Sequence, residues 1–410
     1  MGSSIRDSLT LPNGVELGNR IVKSAMSEAL GDERNDPTDG LIDLFERWGR
    51  GGAGMLITGN TPVDRDHLEH AANVVLDGKT DRDRMRRLAT AARSGGARAL
   101  VQIAHGGRQT PAAVNPHPLS ISGRPLDLPG YGTPRAAEEG ELEVVVAQFA
   151  RSAGLAMEAG FDGVEIHAAH GYLLSSALSP RINTRTDRWG GSLRNRSRLL
   201  RQVVRAVRAE VGPGAIVAVK LNSSDFQKGG FSHEDSIAVA RMLEAEHVDL
   251  VEISGGNFET PVAYRHAAVA QGTARREAYF LDYARDIKAA LAIPVMVTGG
   301  FRSASAMNEA LAAGATDLIG AGRPFIADPD FPQKMFDGAI DMAPAPERDF
   351  PAADTLPRGA VLNWFCHQLA LWGRDGAPDL DLALLDGHER YLAMLEEATG
   401  RLLAARRVAS

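Results

Sequence analysis

Gly163-Val164-Glu165-Ile166 is followed at once by His167-Ala168-Ala169-His170-Gly171-Tyr172. The first four residues make a short apolar run with one carboxylate. The next six carry two imidazoles and a phenol. A short run bounded by helix-length segments suits a buried parallel strand. Upstream, residues 141–160 carry Val145, Phe149, Leu155 and Met157 in a helical pattern and stop on Gly160. Downstream, residues 193–211 set Leu and Val between Arg at helical spacing and stop at Gly212. Strand followed by helix followed by strand implies parallel pairing with right-handed crossovers.

The unit repeats along the chain. Further short runs are Ile21–Ser24, Met55–Thr58, Ala99–Ile103, Val217–Leu221, Leu250–Ile253, Pro294–Val297 and Leu318–Gly320, which with the first makes eight. Ser232-x-x-Asp235 opens a helix, and Ser303 to Gly314 reads as an Ala-rich one. Eight such units predict an α/β fold, a closed (β/α)8 TIM barrel. A doubly wound open sheet would want GxGxxG after its first strand, and Ser24-Ala25-Met26-Ser27 is not that. Residues 106–140 form a long loop after strand three, where loops shape a barrel's site. The expected domains are residues 1–340, the barrel, and 341–410, a Pro-rich linker and a C-terminal helical extension packing on the barrel or a neighbouring subunit. Trp364, Phe365, Leu369 and Trp372 give that extension an apolar stripe that must be covered.

The chain has 410 residues, with 44% hydrophobic and 24% charged, which excludes whole-chain disorder, collagen and coiled coil. No run of about 18 uncharged apolar residues occurs, so no membrane helix is expected. Net charge is −7, a poor basis for nucleic-acid binding. Cys366 is the single cysteine, which excludes an intrachain disulfide and a four-thiolate iron–sulfur cluster. The N-terminus has no apolar signal core, and Arg6 breaks the myristoylation pattern behind Gly2. A cytoplasmic protein is expected, with a homo-oligomer compatible with the sequence.

In such a barrel the site lies where strands end. His167, His170 and Tyr172 stand at the end of strand four. They read either as a hydrogen-bonded structural set or as a reactive one. A metal reading of His-x-x-His lacks a helix to carry it and a third ligand nearby. Strands seven and eight end in Thr298-Gly299-Gly300-Phe301-Arg302 and Gly320-Ala321-Gly322-Arg323. Glycines let backbone N–H groups approach a phosphate, a following helix adds positive charge, and Arg323 can close a bidentate bond; plain tight turns are the alternative. Gln102, before Ala104-His105-Gly106-Gly107-Arg108, suits a heterocycle edge, and Lys220, near Asn222, suits an anion. Glu165 shares the inward parity of His167. Glu165 and Glu252 precede the strand ends, which favours charge-paired floor residues over a glycosidase pair.

These residues resemble the Old Yellow Enzyme family of flavin-dependent ene-reductases. The resemblance is carried by GVEIHAAHGYLLSSALSPRINTRTDRWGGSLRNR at 163–196, LGNRIVKSAMS at 17–27, VQIAHGGRQ at 101–109, and GGFRS with AGRPFIADPDFP at 299–332. It covers about residues 5–340. It implies a barrel that binds FMN and is reduced by NADH or NADPH. It implies that His167 and His170 bind the substrate oxygen and that Tyr172 donates a proton as an activated alkene, an α,β-unsaturated carbonyl compound, is reduced. Gln102 then resembles the glutamine at the flavin pyrimidine edge. Ala25, Met26 and Ser27 match the segment under the flavin, with Gly59 beside it. Gly299, Gly300, Gly322 and Arg323 match the phosphate site. Ser27 stands where relatives often have Cys or Thr, and its hydroxyl is expected to donate a hydrogen bond there. Lys220 stands where many have Arg near the flavin, and Ala29 where some have a Tyr. The alternatives are a flavin-dependent isomerase or demethylase on the same barrel, or a non-catalytic flavin-binding protein.

Overall fold

The computed structural model describes residues 2–259, 277–278, 280–352 and 355–409. Eight parallel strands close a barrel: β1 (Ile21–Lys23), β2 (Met55–Ile57), β3 (Arg98–Ala104), β4 (Gly163–Ala168), β5 (Ile216–Asn222), β6 (Leu250–Ser254), β7 (Val295–Thr298) and β8 (Leu318–Ala321). Each pairs with the next, and β8 pairs with β1, Ile319 opposite Ile21. All eight expected strands are present. The expected doubly wound alternative is excluded by the closure.

Alternation along each strand sorts the interior into layers. Val22, Met55, Ile57, Leu100, Ile216, Ala218, Leu250, Met296 and Leu318 form an apolar lower layer, plugged by Leu11 and Leu17 beside a two-stranded N-terminal hairpin. Two residues further along their strands, Gln102, Glu165, Lys220 and Glu252 share that inward parity and make a polar layer, none more than 4% exposed. Odd-numbered Ile21 and Lys23 point outward, to the helices.

The outer helices are α1 (Asp39–Gly49), α2 (Arg82–Ala92), α3 (Glu139–Ala159), α4 (Arg198–Val211), α5 (His233–Glu244), α6 (Leu281–Lys288) and α7 (Ala304–Ala312). Gly160 ends α3 in the left-handed region at φ 95°, as its missing Cβ allows. Ser232 caps α5 by accepting from the Asp235 N–H, but the Asp235 carboxylate turns to Arg196 at 2.6 Å, so only half a capping box forms. The helix expected over 193–211 is broken: Leu193–Arg196 forms one turn, and Ser197 separates it from α4. The Ser197 hydroxyl bonds the Arg194 carbonyl, a local contact that competes with the helical ladder.

After β8 come α8 (Arg323–Ala327) and α9 (Phe331–Phe336), then α10 (Ala360–Asp375) and α11 (Leu384–Ala409). Helix α10 lies on α1 so closely that a Cβ on Gly40 would meet the Gly373 carbonyl at 2.0 Å. The Trp372 indole donates to the Ile326 carbonyl of α8 at 2.7 Å. Tyr391, Ala398 and Leu402 of α11, with Cys366, cover Ala29, Leu68, Ala71, Ala72, Val75 and Val114, on loops that follow β1, β2 and β3. Among the described residues no helix is long and apolar enough to cross a membrane.

Candidate functional site

The polar layer sits just below the barrel mouth. Gln102 pairs in register with Glu165, and its amide donates to that carboxyl at 2.6 Å. Lys220 pairs in register with Glu252, and their ion pair is 2.7 Å long. Burial, and then the Glu252 charge, push the Glu165 carboxyl well above its ordinary range. Burial opposes ionisation of Glu252 and Lys220 too, but their mutual attraction outweighs it, and both stay charged. Of the two floor glutamates, Glu252 is paired with a charge, whereas Glu165 accepts from the neutral Gln102 amide. Lys220 thus faces a buried carboxylate across the strand register.

Above this layer, the end of β4 turns sharply. His170 has φ 62° and Gly171 φ 85°. The His170 N–H donates to Asn222 Oδ1 at 3.1 Å, and its Nε2 lies 2.8 Å from the Ser254 hydroxyl. The Ser254 hydroxyl can take either role in this bond, and the ring proton sits on Nδ1 when Ser254 donates. His167 Nδ1 accepts from the Ala169 N–H, so its proton is on Nε2. Each ring then keeps one N–H donor. The rings meet edge to face, 5.1 Å apart, and Tyr172 stands 4.8 Å from His167. Burial first, then the His170 and Lys220 charges, hold His167 well below the imidazole range; burial and Lys220 bring His170 down to about 3. Both are neutral donors at physiological pH. Phe258 stands 5.7 Å from Tyr172 and 6.3 Å from Tyr131.

The segment from Ala25 to Ser27 is held from outside the barrel. Lys23, fully buried over the Trp48 and Phe45 rings, pairs with Glu28 at 3.1 Å. Both Glu28 oxygens accept from the Gly59 N–H, at 2.9 and 3.0 Å. A Cβ on Gly59 would meet the Met26 carbonyl at 2.0 Å, and one on Gly322 would meet Met26 Sδ at 3.2 Å. Met26, Gly59 and Gly322 are therefore brought together. The Ser27 hydroxyl donates to Glu69 at 2.6 Å, and Asn60 donates to the same oxygen at 2.8 Å. Glu69 lies in the next βα unit, and the direct pairing of β1 with β2 brings it there.

At the ends of β7 and β8, Gly299 and Gly300 have φ 116° and 98°, and a Cβ on Gly300 would meet the Glu277 carbonyl at 1.7 Å. Two amides of this loop, Arg302 and Ser303, already donate to the Glu277 carboxylate, each at 2.8 Å. Helix α8 has only five residues, so the positive charge there is that of Arg323 rather than of a helix dipole. Arg302 pairs with Glu347, and Arg323 lies 3.8 Å from the same carboxylate. Sequence reasoning missed Ser254, Glu28, Glu69, Phe258 and Glu347. A lysine directly after Ile21-Val22 was the one visible signal, marking an outward charge that needs a buried partner.

One further cluster gathers Asp64, His67 and His105. His67 Nε2 accepts from the Leu119 N–H at 2.9 Å, which puts its proton on Nδ1, 2.9 Å from Asp64. Both nitrogens are engaged, so the cluster is a hydrogen-bonded network rather than a metal centre.

A flavin mononucleotide fits these residues. Gly299 and Gly300 hold positive φ that side chains rarely adopt, Gly59 and Gly300 have no room for a Cβ, Arg323 offers a cation, and the Gln102 and Lys220 layer offers a polar edge. This is the class of a flavin-binding barrel. Residues 8–341 match the NADH:flavin oxidoreductase / NADH oxidase family. The chain is 36% identical over 398 residues to the NADH-dependent flavin oxidoreductase nadA of Aspergillus parasiticus, covering 92% of this chain and 87% of that one. It is 32% identical to the 4,4'-dithiodibutanoate disulfide reductase of Rhodococcus erythropolis, covering 79% and 86%. Among solved structures, a 2-naphthoyl-CoA reductase complex matches with a TM-score of 0.77 at 26% identity, over 84% of this chain and 54% of that one. An Old Yellow Enzyme homologue from Zymomonas mobilis shares the fold, TM-score 0.71 at 23% identity, over 87% and 98%. The chain belongs to the NADH:flavin oxidoreductase family that includes the Old Yellow Enzymes. It is an NAD(P)H-dependent flavin oxidoreductase with FMN as its cofactor, which sets aside the non-catalytic reading.

Proposed function

We propose that the enzyme reduces the C=C bond of α,β-unsaturated carbonyl compounds. The observation that carries this reading is the edge-to-face set of His167, His170 and Tyr172 above the Gln102–Lys220 layer. FMN, when bound, would supply the hydride chemistry between NAD(P)H and the alkene. The chain's own residues do the rest. His167 Nε2–H and His170 Nδ1–H face the substrate oxygen and stabilise the negative charge that develops on it. Ser254 keeps His170 in the donating tautomer. Tyr172 gives its phenolic proton to the α-carbon. Gln102 and Lys220 would hold the pyrimidine edge, Ala25–Ser27 and Gly59 the ring, and Gly299, Gly300, Gly322 and Arg323 the phosphate.

Labelling tests the reaction. NADPH deuterated at the transferred position should leave deuterium at the β-carbon of a simple cyclic enone, and heavy water should leave it at the α-carbon. Enone turnover without steady nicotinamide consumption would instead favour the isomerase alternative.

Arg323→Ala should weaken FMN retention, since a lost charge-assisted bond costs about 1.5–3 kcal/mol, or ten- to over a hundredfold in affinity. Gel filtration followed by a flavin spectrum reads this; full occupancy at low micromolar protein would remove Arg323 from the phosphate site.

The histidines also set a pH expectation. No imidazole inflection should appear in the enone half-reaction between about pH 5 and 8, because both rings stay neutral there. Since the folded chain disfavours His170 protonation, its contribution to stability is full above about pH 6.5 and declines as pH falls toward 3. A kinetic inflection near pH 6.5 that vanishes in His170→Asn would contradict the neutral assignment.

A further inference from the structure

We propose that the C-terminal extension is a working part of the phosphate side of the flavin site, with Phe365 and Glu347 holding Arg323 in place. This rests on the reading of Arg323 as the phosphate ligand. The guanidinium carbon of Arg323 lies 5.4 Å from the centre of the Phe365 ring, and Nη1 lies 3.8 Å from Glu347. An arginine on a flexible stem must be ordered before it can receive an anion, and groups that order it beforehand raise affinity. A ring face does this without neutralising the charge.

Phe365 is itself fixed. It is 1% exposed, and its ring meets Trp364 edge to face at 5.0 Å. Phe350 of the linker lies behind both rings, 5.0 Å from Trp364 and 6.5 Å from Phe365. Two turns along the same face of α10, the Trp372 indole bonds the Ile326 carbonyl, three residues beyond Arg323 in α8. The extension therefore grips α8 at two points, one of them the arginine. Glu347 joins Arg323 to Arg302, whose other bond is to the Phe301 carbonyl of the glycine loop at 2.8 Å. Two guanidinium groups, those of Arg302 and Arg323, share the Glu347 carboxylate beside this loop. Glu277, which also faces this loop, is engaged with backbone amides.

A stripe that only buried apolar surface would hold the fold without favouring one flavin over another. Riboflavin has the same ring system as FMN and no phosphate, so it separates the two roles. Holoenzyme is equilibrated with increasing riboflavin, and the bound flavin is identified after gel filtration. The riboflavin-to-FMN ratio at half displacement reads the phosphate contribution directly. Phe365→Leu should lower that ratio by roughly three- to thirtyfold, the range of a partly desolvated cation–π contact, and Phe365→Tyr should restore it. Phe365→Met, which keeps the volume and loses the ring, should behave as Phe365→Leu does. An unchanged ratio in Leu and Met variants overturns the proposal, and so does failure of both to fold, which would make Phe365 core alone. Arg323→Ala, run beside them, distinguishes the failures. If it too leaves the ratio unchanged, the phosphate reading itself falls; if it lowers the ratio while Phe365 variants do not, only the role of the extension is lost.

Discussion

Tyr172→Phe is expected to leave reduction of the flavin by NAD(P)H nearly intact and to slow reoxidation by an enone by about 10²–10⁴, the usual worth of a positioned general acid. The reason is that only the second half-reaction needs a proton at carbon. The substitution removes one oxygen from a ring that is 3% exposed and packed against His167 and Phe258. The backbone carbonyl of Tyr172, which accepts from the Ser176 N–H at 2.7 Å, is untouched. The fold should therefore survive. Stopped-flow rates for the two half-reactions decide the matter. Equal losses in both would mean that the phenol has another task.

His167→Ala should slow the same enone step by about 10²–10³, the cost of removing one donor from an oxyanion site. His167 donates through Nε2 because Nδ1 is occupied by the Ala169 N–H, so no rotation of the ring offers the substrate a second donor. Ser254→Ala acts on the site only through His170 and should cost less, since the imidazole remains and only its tautomer is released. Saturating enone concentrations separate rate from binding. A loss under about tenfold at saturation for His167→Ala would withdraw the oxyanion role.

The barrel was legible because its signal is local and repeated. Eight short runs, each spaced by a helix-length segment, need no knowledge of contacts. Parity along β4 also placed Glu165 and His167 on one face before any pairing was known. The failures lie where chemistry depends on residues from separate units. Ser27 could be placed under the ring, but not its bond to Glu69. Lys220 could be assigned a charge, but not its neutralisation by Glu252 across the strand register. The break at Ser197 was hidden because the apolar spacing of 193–211 continues through it. The stripe from Trp364 to Trp372 demanded a cover, yet helical spacing cannot say which surface supplies it.

Gly40 and Gly373 touch backbone to backbone where α10 rests on α1. A side chain at Gly40 would press on the Gly373 carbonyl and lift α10, and with it the ring that faces Arg323. In genetic terms, a lesion in this outer seam would then mimic a vitamin deficiency. Raising intracellular FMN would rescue it by mass action, because ligand binding to the folded state compensates a weakened site. No flavin supplement would rescue a lesion at Tyr172, so dietary or transport suppression could sort alleles of the seam from alleles of the chemistry.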